Sequence, residues 1–348
     1  MLLNSARSAV DSIGQTTQEV NMTAPSKLGT TMIATHDLAR TYKTRGGTVE
    51  AVRGVDLHVQ AGEIFGFLGP NGAGKTTTLR MLATLIQPSA GEANVAGADL
   101  RSEPQEVRRR IGYVPQGGST DPAETGRGEL VIQGQLYRLS TSAAKARATE
   151  VLAALDLEAA ADRPISTYSG GMKRRLDVGL GIVHRPQVLF LDEPTTGLDP
   201  QARARMWDEI RNLRELGTTV FLTTHYLEEA DALCDRLAII DHGKIVAEGT
   251  SDQLKQAVAG DVVTIGVNGS GARVLGIVEA LPFVREATHD EESGLVRLYV
   301  DRGEVAVPHL LRTLDAAGFA PSSIALNKPS LDDVFLRQTG RSLREEAA

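Results

Sequence analysis

Cysteine is almost absent from this chain: Cys234 is the only one in 348 residues. That excludes an internal disulfide and any cysteine-built metal cluster, and it suits a reducing cytoplasm. Long apolar runs are missing too. None approaches the ~20 residues that a helix needs to cross a bilayer, so a role in transport would require another chain to supply the pore. Positive charge is not in excess. Lys and Arg number 37 against 44 Asp and Glu, a net charge of −7 without the basic footprint of a nucleic-acid binder. Aromatics are only 4%, yet 41% of residues are hydrophobic and 23% charged, an ordinary globular balance with core enough for two domains.

The first thirty-odd residues are rich in Ser, Thr, Gln and Asn. Met1-Leu2-Leu3 is too short for a signal-peptide core, and Asp11 and Glu19 follow soon after. Residues 1–31 read as a disordered extension, with Met22 or Met32 as alternative translation starts.

What the chain does have is a phosphate site. Gly69-Pro70-Asn71-Gly72-Ala73-Gly74-Lys75-Thr76 is a complete G-x-x-x-x-G-K-[ST] loop, followed by Thr77. Ile64 to Leu68 before it reads as a buried strand. Thr76 to Leu85 after it carries helical spacing, with Leu79, Leu82 and Leu85 on one face. A glycine-rich turn between strand and helix aims backbone N–H groups at an anion, and the helix N-terminus adds partial positive charge. Lys75 can reach the β- and γ-phosphates, and the Thr76 hydroxyl can bind Mg²⁺. Farther on, Val188 to Leu191 reads as a central strand that ends in Asp192-Glu193. Ligands bind beyond the carboxyl ends of such strands. Asp192 is thus placed to hold Mg²⁺, and Glu193 is the natural general base for an attacking water.

Other segments are weaker singly. Ser169-Gly170-Gly171 opens a helical stretch, Met172 to Gly181, where the serine is an ordinary N-cap and also one half of an anion site. His225 ends the β-rich run Thr219 to Thr224, where a polar strand cap would be unremarkable. Gln116 merely follows Pro115. Cys234 falls on a helix expected from Tyr226 to Asp235, as a small core residue.

In this order the motifs resemble those of the ATP-binding cassette, from about Met32 to about Ser251. Tyr168-Ser169-Gly170-Gly171-Met172 resembles the cassette signature Leu-Ser-Gly-Gly-Gln with altered flanks. The resemblance implies that Ser169, Gly170 and Gly171 contact ATP held by a second cassette. It makes His225 the switch histidine at the γ-phosphate and Gln116 the sensor of Mg²⁺ and the attacking water. It also places Asp199 in the loop that communicates between paired cassettes, and Tyr42 on the adenine. The cofactors implied are ATP and Mg²⁺.

The implied fold is α/β, a P-loop NTPase of the cassette type. It has a mixed-sheet core, an antiparallel β subdomain and a helical subdomain at about 117–185, where Leu130 to Leu139 and Ala143 to Leu157 show helical spacing. Residues 252–340 follow the order β-α-β-β-α-β, which suggests a small α+β ferredoxin-like domain. Within it Phe283 to His289 and Gly294 to Val300 read as strands flanking the acidic turn Asp290 to Gly294. Residues 341–348 are a tail. With Pro329 to Leu336, the unit resembles the C-terminal extension of daunorubicin/doxorubicin-resistance ATP-binding subunits.

That family implies an exporter ATPase at the cytoplasmic face of the membrane, peripheral, paired with an ABC-2 type permease and with a second cassette, identical or related. The C-terminal unit would steady the complex, and truncation near Ser251 would leave ATP binding. The competing possibility is that Leu331 to Leu336 covers exposed cassette core. The alternative function is a soluble cassette ATPase on nucleic acid or the ribosome. The acidic balance and the lack of coiled coils or a zinc cluster between the motifs speak against it.

Overall fold

The structure is a computed structural model that describes residues 29–44, 47–258, 260–267, 271–290 and 294–340. The expected N-terminal extension, the tail and the middle of the acidic turn lie outside the described residues, apart from residues 29–31.

The chain opens with two long strands, β1 (Thr31–Thr44) and β2 (Gly47–Gln60), then β3 (Ile64–Leu68), the glycine-rich loop and α1 (Lys75–Leu82). Next come β4 (Ala90–Val95), β5 (Ala98–Asp99), α2 (Pro104–Arg110) and β6 (Ile111–Val114). Three helices follow, α3 (Gly126–Leu136), α4 (Thr141–Ala154) and α5 (Gly170–Ile182). The chain then alternates through β7 (Val188–Asp192), α6 (Pro200–Glu215), β8 (Thr219–Thr224), α7 (Leu227–Leu233), β9 (Arg236–Asp241) and β10 (Lys244–Gly249). The remainder is α8 (Ser251–Ala257), β11 (Asp261–Gly266), α9 (Gly271–Val278), β12 (Val284–Asp290), β13 (Leu295–Val300), α10 (Gly303–Ala316), β14 (Ser323–Asn327) and α11 (Leu331–Thr339).

Three sheets result. An antiparallel one runs β2-β1-β4-β5. The central sheet runs β10-β9-β3-β8-β7-β6, parallel from β9 to β6 with β10 antiparallel at the edge. Every residue of β3, β7 and β8 is buried, as strands covered on both faces require. Phe65, Phe67 and Phe190 all pack on Phe221 within this sheet, at centroid distances of 5.6–5.7 Å. The third sheet runs β12-β13-β11-β14, all antiparallel, with α9 and α10 against it. This is the ferredoxin-like arrangement expected from the order of elements.

Some boundaries differ from the sequence reading. The loop helix stops at Leu82; Thr84 takes a left-handed φ of 60°, and Leu85 is 53% exposed instead of continuing the buried face. α4 ends at Ala154, where Asp156 turns the chain at φ 52°, although Leu157 is still buried. α7 ends one residue before Cys234, which sits half-buried between two core clusters.

One contact fixes the helical region against the sheet. A Cβ on Gly112 of β6 would fall 2.0 Å from the Gly181 carbonyl of α5, so strand and helix touch backbone to backbone. A second contact ties the C-terminal unit down. Leu331, Val334 and Phe335 of α11 share a buried cluster with Leu68, Leu237 and Ile239 of the central sheet and with Val262 and Tyr299 of the third sheet. The last helix therefore covers cassette core as well as its own domain.

Phe335 is fully buried in that cluster. Phe335→Ala is expected to cost about 3–5 kcal/mol. The measurement is urea unfolding followed by the single tryptophan, Trp207, which lies in the cassette. A midpoint unchanged at Trp207 would show that the last helix does not support the cassette.

Candidate active site

The site forms where β3, β7, β8 and β6 end side by side. Leu68 leads into Gly69, whose Cβ would lie 2.3 Å from the Ile240 carbonyl; no side chain fits there. Gly72 and Gly74 hold left-handed φ values of 81° and 107°, which permit the tight loop around Pro70, Asn71 and Ala73. α1 then begins at Lys75, with Thr76 and Thr77 half-buried in its first turn. The Lys75 ammonium is 4% exposed and donates to the Gly69 carbonyl at 2.7 Å and the Pro70 carbonyl at 3.0 Å. Burial pulls its pKa down, against the pull of Glu193, whose Oε1 is 3.5 Å away.

Asp192 closes β7 and is almost fully buried. Its Oδ1 accepts hydrogen bonds from Thr76 Oγ1 at 3.0 Å and Thr223 Oγ1 at 2.7 Å. Glu193 follows at a left-handed φ of 46°. For a residue with a Cβ that conformation costs about 1–3 kcal/mol and is typical of functional sites. The Glu193 N–H donates to Thr223 Oγ1 and to the Thr223 carbonyl, both at 3.1 Å, which holds the turn in place. Its carboxylate gathers the other predicted residues. Gln116 Nε2 donates to Oε2 at 2.8 Å and Thr196 Oγ1 at 3.2 Å, and His225 Nδ1 lies 3.3 Å away without a well-aligned hydrogen bond. Burial pushes the Glu193 carboxyl up. The His225 ring, the Lys75 ammonium and the Thr196 hydroxyl outweigh it and hold the group below its ordinary value. An ionised carboxylate with fixed donors around it can accept a proton from a water.

Thr76 and Asp192 present oxygen donors only, the chemistry a hard divalent cation takes. Among the described residues no cluster of three or more His, Cys, Asp or Glu could hold a metal alone. A cation here would share its coordination with phosphate oxygens, as Mg²⁺ does. The residues fit that ion.

Ser169, Gly170, Gly171 and Asp199 are brought together elsewhere. They line a separate cleft of 450 Å³ with Arg175 and Arg205. Ser169 Oγ caps α5 by accepting from Met172 N–H at 3.2 Å, and Asp199 caps α6 by accepting from Ala202 N–H at 2.8 Å. Tyr42 stands in the antiparallel sheet, its ring 4.6 Å beneath the Arg40 guanidinium.

Arg174 was not picked out by sequence reasoning. Its guanidinium is 7% exposed and donates to the carbonyls of Pro115 (2.6 Å), Asp192 (2.9 Å), Glu193 (3.2 Å) and Pro194 (2.7 Å). It thereby ties the loop of Gln116 to the turn of Glu193. The signal was available: Arg174, Val178 and Gly181 fall on one face of α5, so a charge there sits on a buried stripe. Thr223, the donor to Asp192, looked like one more β-branched residue in a strand.

Residues 52–196 match the family model described as ABC transporter. Residues 249–339 match that of the ATP-binding protein DrrA1-3-like, C-terminal domain. The chain is 44% identical over 304 residues to the daunorubicin resistance ATP-binding protein DrrA3 of Streptomyces coeruleorubidus, covering 87% of this chain and 96% of the relative. It is 37% identical to the linearmycin resistance ATP-binding protein LnrL of Bacillus subtilis, covering 88% and 99%. It is 41% identical to the Nod factor export ATP-binding protein I of Burkholderia lata, covering 88% and 97%. Among solved structures, the ATP-binding cassette MJ0796 in its dimeric post-hydrolysis state with ADP and Pi aligns at a TM-score of 0.58 and 26% identity, covering 63% of this chain and 98% of that one.

Fold, site and relatives together define an ATP-hydrolysing cassette of the exporter type. The chain belongs to the ABC transporter family, in the branch of the daunorubicin/doxorubicin resistance ATP-binding proteins. These relatives do not favour the reading as a nucleic-acid or ribosome ATPase.

Arg174→Met removes the donor shared by four carbonyls and should cost about 3 kcal/mol or more, since each buried group left unpaired costs ~1–3 kcal/mol. Denaturant titration of the purified variant measures this. A loss below about 1 kcal/mol, the scale of one ordinary hydrogen bond, would show that Arg174 does not hold the two loops together.

Proposed function

We propose that residues 32–251 form the ATPase and residues 252–340 an accessory domain, and that Glu193 is the general base. The observation that carries this is the Glu193 carboxylate beside Asp192, with Gln116, Lys75 and His225 all within 3.5 Å. The P-loop amides of residues 69–77 and Lys75 take the phosphates of ATP. Thr76, Asp192 and Gln116 hold Mg²⁺, which when bound neutralises charge building on the β- and γ-phosphate oxygens. Lys75 turns from the Gly69 and Pro70 carbonyls to the phosphates. Gln116 and Glu193 hold the attacking water, and Glu193 Oε2 takes its proton as the water oxygen bonds to the γ-phosphorus and the bond to ADP breaks. His225 keeps Glu193 oriented and reaches the γ-phosphate. Tyr42 stacks on adenine. Ser169, Gly170, Gly171 and Asp199 complete the site of an opposing cassette across a head-to-tail dimer, since helix starts of this kind suit an anion.

The partner is a membrane permease of the ABC-2 type, with this chain bound peripherally at its cytoplasmic face. Among the described residues no helix is long and apolar enough to cross a membrane. The docking surface we favour is a groove of 830 Å³ between the central sheet and the helical region. Its rim carries Arg108, Arg109 and Arg138, and Leu85 and Leu136 stand exposed along it at 53% and 73%. Such a groove suits an amphipathic helix with an apolar face and carboxylates at its edge.

Glu193→Gln should retain ATP binding and lose ~10²–10⁴-fold in hydrolysis, the usual contribution of a general base. The same variant should form a dimer on Mg-ATP that size-exclusion chromatography detects. Hydrolysis at the wild-type rate would overturn the assignment of the base, and a monomer in Mg-ATP, with or without permease, would count against the shared site.

Co-expressed with its permease, the chain should reach the membrane fraction. Leu136→Asp combined with Arg138→Glu should abolish that while leaving nucleotide binding unchanged. Undiminished capture of the double variant would place the docking surface elsewhere.

A further inference from the structure

Behind His225 lies a cluster of groups, Arg203, Tyr226 and Glu229, that the chemical step does not use. Among the described residues, Arg203 Nε, His225 Nδ1 and Glu229 Oε2 are three of the five buried side-chain atoms without a hydrogen-bond partner. Folded proteins leave few such atoms, and each asks for a reason. Two of the three side chains, Arg203 and His225, meet on one aromatic ring, that of Tyr226. The Arg203 guanidinium stands over the face of Tyr226, 4.7 Å from its centroid. The Tyr226 ring in turn lies against the His225 ring, centroid to centroid 4.1 Å at 41°. Arg203 sits one turn into α6, and its N–H bonds the carbonyl of Asp199, the residue that caps that helix. Asp199 lines the signature cleft. A continuous path of contacts thus runs from that cleft to the histidine.

Glu229 anchors the far side of the path. Its side chain is fully buried, and Oε1 accepts from Thr195 Oγ1 at 2.7 Å and from Trp207 Nε1 at 3.2 Å. Thr195 belongs to the turn that begins at Glu193. Trp207 is one turn beyond Arg203 on α6. The same helix therefore touches the Glu193 turn through Trp207 and Glu229, and the histidine through Arg203 and Tyr226.

We propose that Arg203 and Tyr226 are positioning residues for ATP hydrolysis, setting the plane of the His225 ring according to the position of α6. A guanidinium held over an aromatic face by charge and quadrupole fixes that ring in place. Movement of α6 when the signature cleft is occupied shifts the cation, the tyrosine and the histidine in turn. The unused hydrogen-bonding atoms leave the cluster free to take a second arrangement.

The test is steady-state hydrolysis by the full chain. Arg203→Met and Tyr226→Leu should each lower kcat about tenfold with KM for ATP changed less than about twofold, the pattern of a group that acts after binding. The double variant should be no slower than the slower single one, because both break the same path. Tyr226→Phe, which keeps the ring, should restore most of kcat. If Arg203→Met does not fold, Arg203→Gln, which keeps hydrogen-bonding donors without the charge, carries the same expectation.

Wild-type kcat in Arg203→Met or Tyr226→Leu, multiplicative losses in the double variant, or Tyr226→Phe as slow as Tyr226→Leu would each overturn the relay. The inference rests on His225 reaching the γ-phosphate. His225→Ala at the wild-type rate would remove that reading, whereas inactive His225→Ala beside fully active Arg203→Met removes the relay alone.

Discussion

The guanidinium of Arg174 is where three distant segments meet. Residues 115, 174 and 192–194 come from a strand end, a helix and the Glu193 turn, and the planar fork of donors on the helix binds the other two through their carbonyls. The turn needs such a hold. Glu193 is in a left-handed conformation, and an isolated chain would relax from it. Thr223 grips the turn from the neighbouring strand and Arg174 from behind. With both in place, the carboxylate of Glu193 is delivered to Gln116, Lys75 and His225 at once. Asp177 on the same helix is drawn in as well, its carboxyl pushed up by burial against the pull of Arg174 and of the Ser119 amide it receives.

How much of this was legible in the sequence depends on where the information sits. The glycine-rich loop, the acidic pair after an apolar run and the β-α-β-β-α-β order are local patterns, and the architecture follows from them. Lys75 and Glu193 stood out in the residues themselves, and Gln116 and His225 only through the resemblance to the cassette; their meeting point depends on strand order, which only the parallel pairing of β6, β7, β8 and β3 supplies. Arg174 and Glu229 stayed hidden for a different reason. Each is a charged residue inside a helix, a pattern usually met on solvent-facing surfaces. Their importance comes from burial, which for Arg174 shows only in its helical spacing with Val178 and Gly181 and for Glu229 in no short window of sequence. Helix ends were misjudged where a residue with a side chain adopts positive φ, as at Thr84 and Asp156.

The groove and the cleft are built on the same helix. α5 begins at the signature cleft with Ser169 as its cap, and Gly181 near its end touches β6 and lines the groove between sheet and helical region. His184, just beyond the helix, stacks on Tyr137 with ring centroids 3.5 Å apart and bonds the Ile111 carbonyl at 2.8 Å. Burial lowers its pKa, so the ring stays neutral near pH 7. One helix thus has an end at each pocket.

Leu68 is the last residue before the glycine-rich loop, and it is buried against the same cluster as Phe335. The wall behind the phosphate loop is thus completed by a helix more than 250 residues later. Exchange of C-terminal units between relatives is therefore not the swapping of independent modules. A chimera joined at residue 251 would set a foreign helix against Leu68, Leu237 and Ile239, so the recipient sheet and the donor helix must descend together or be rematched in shape.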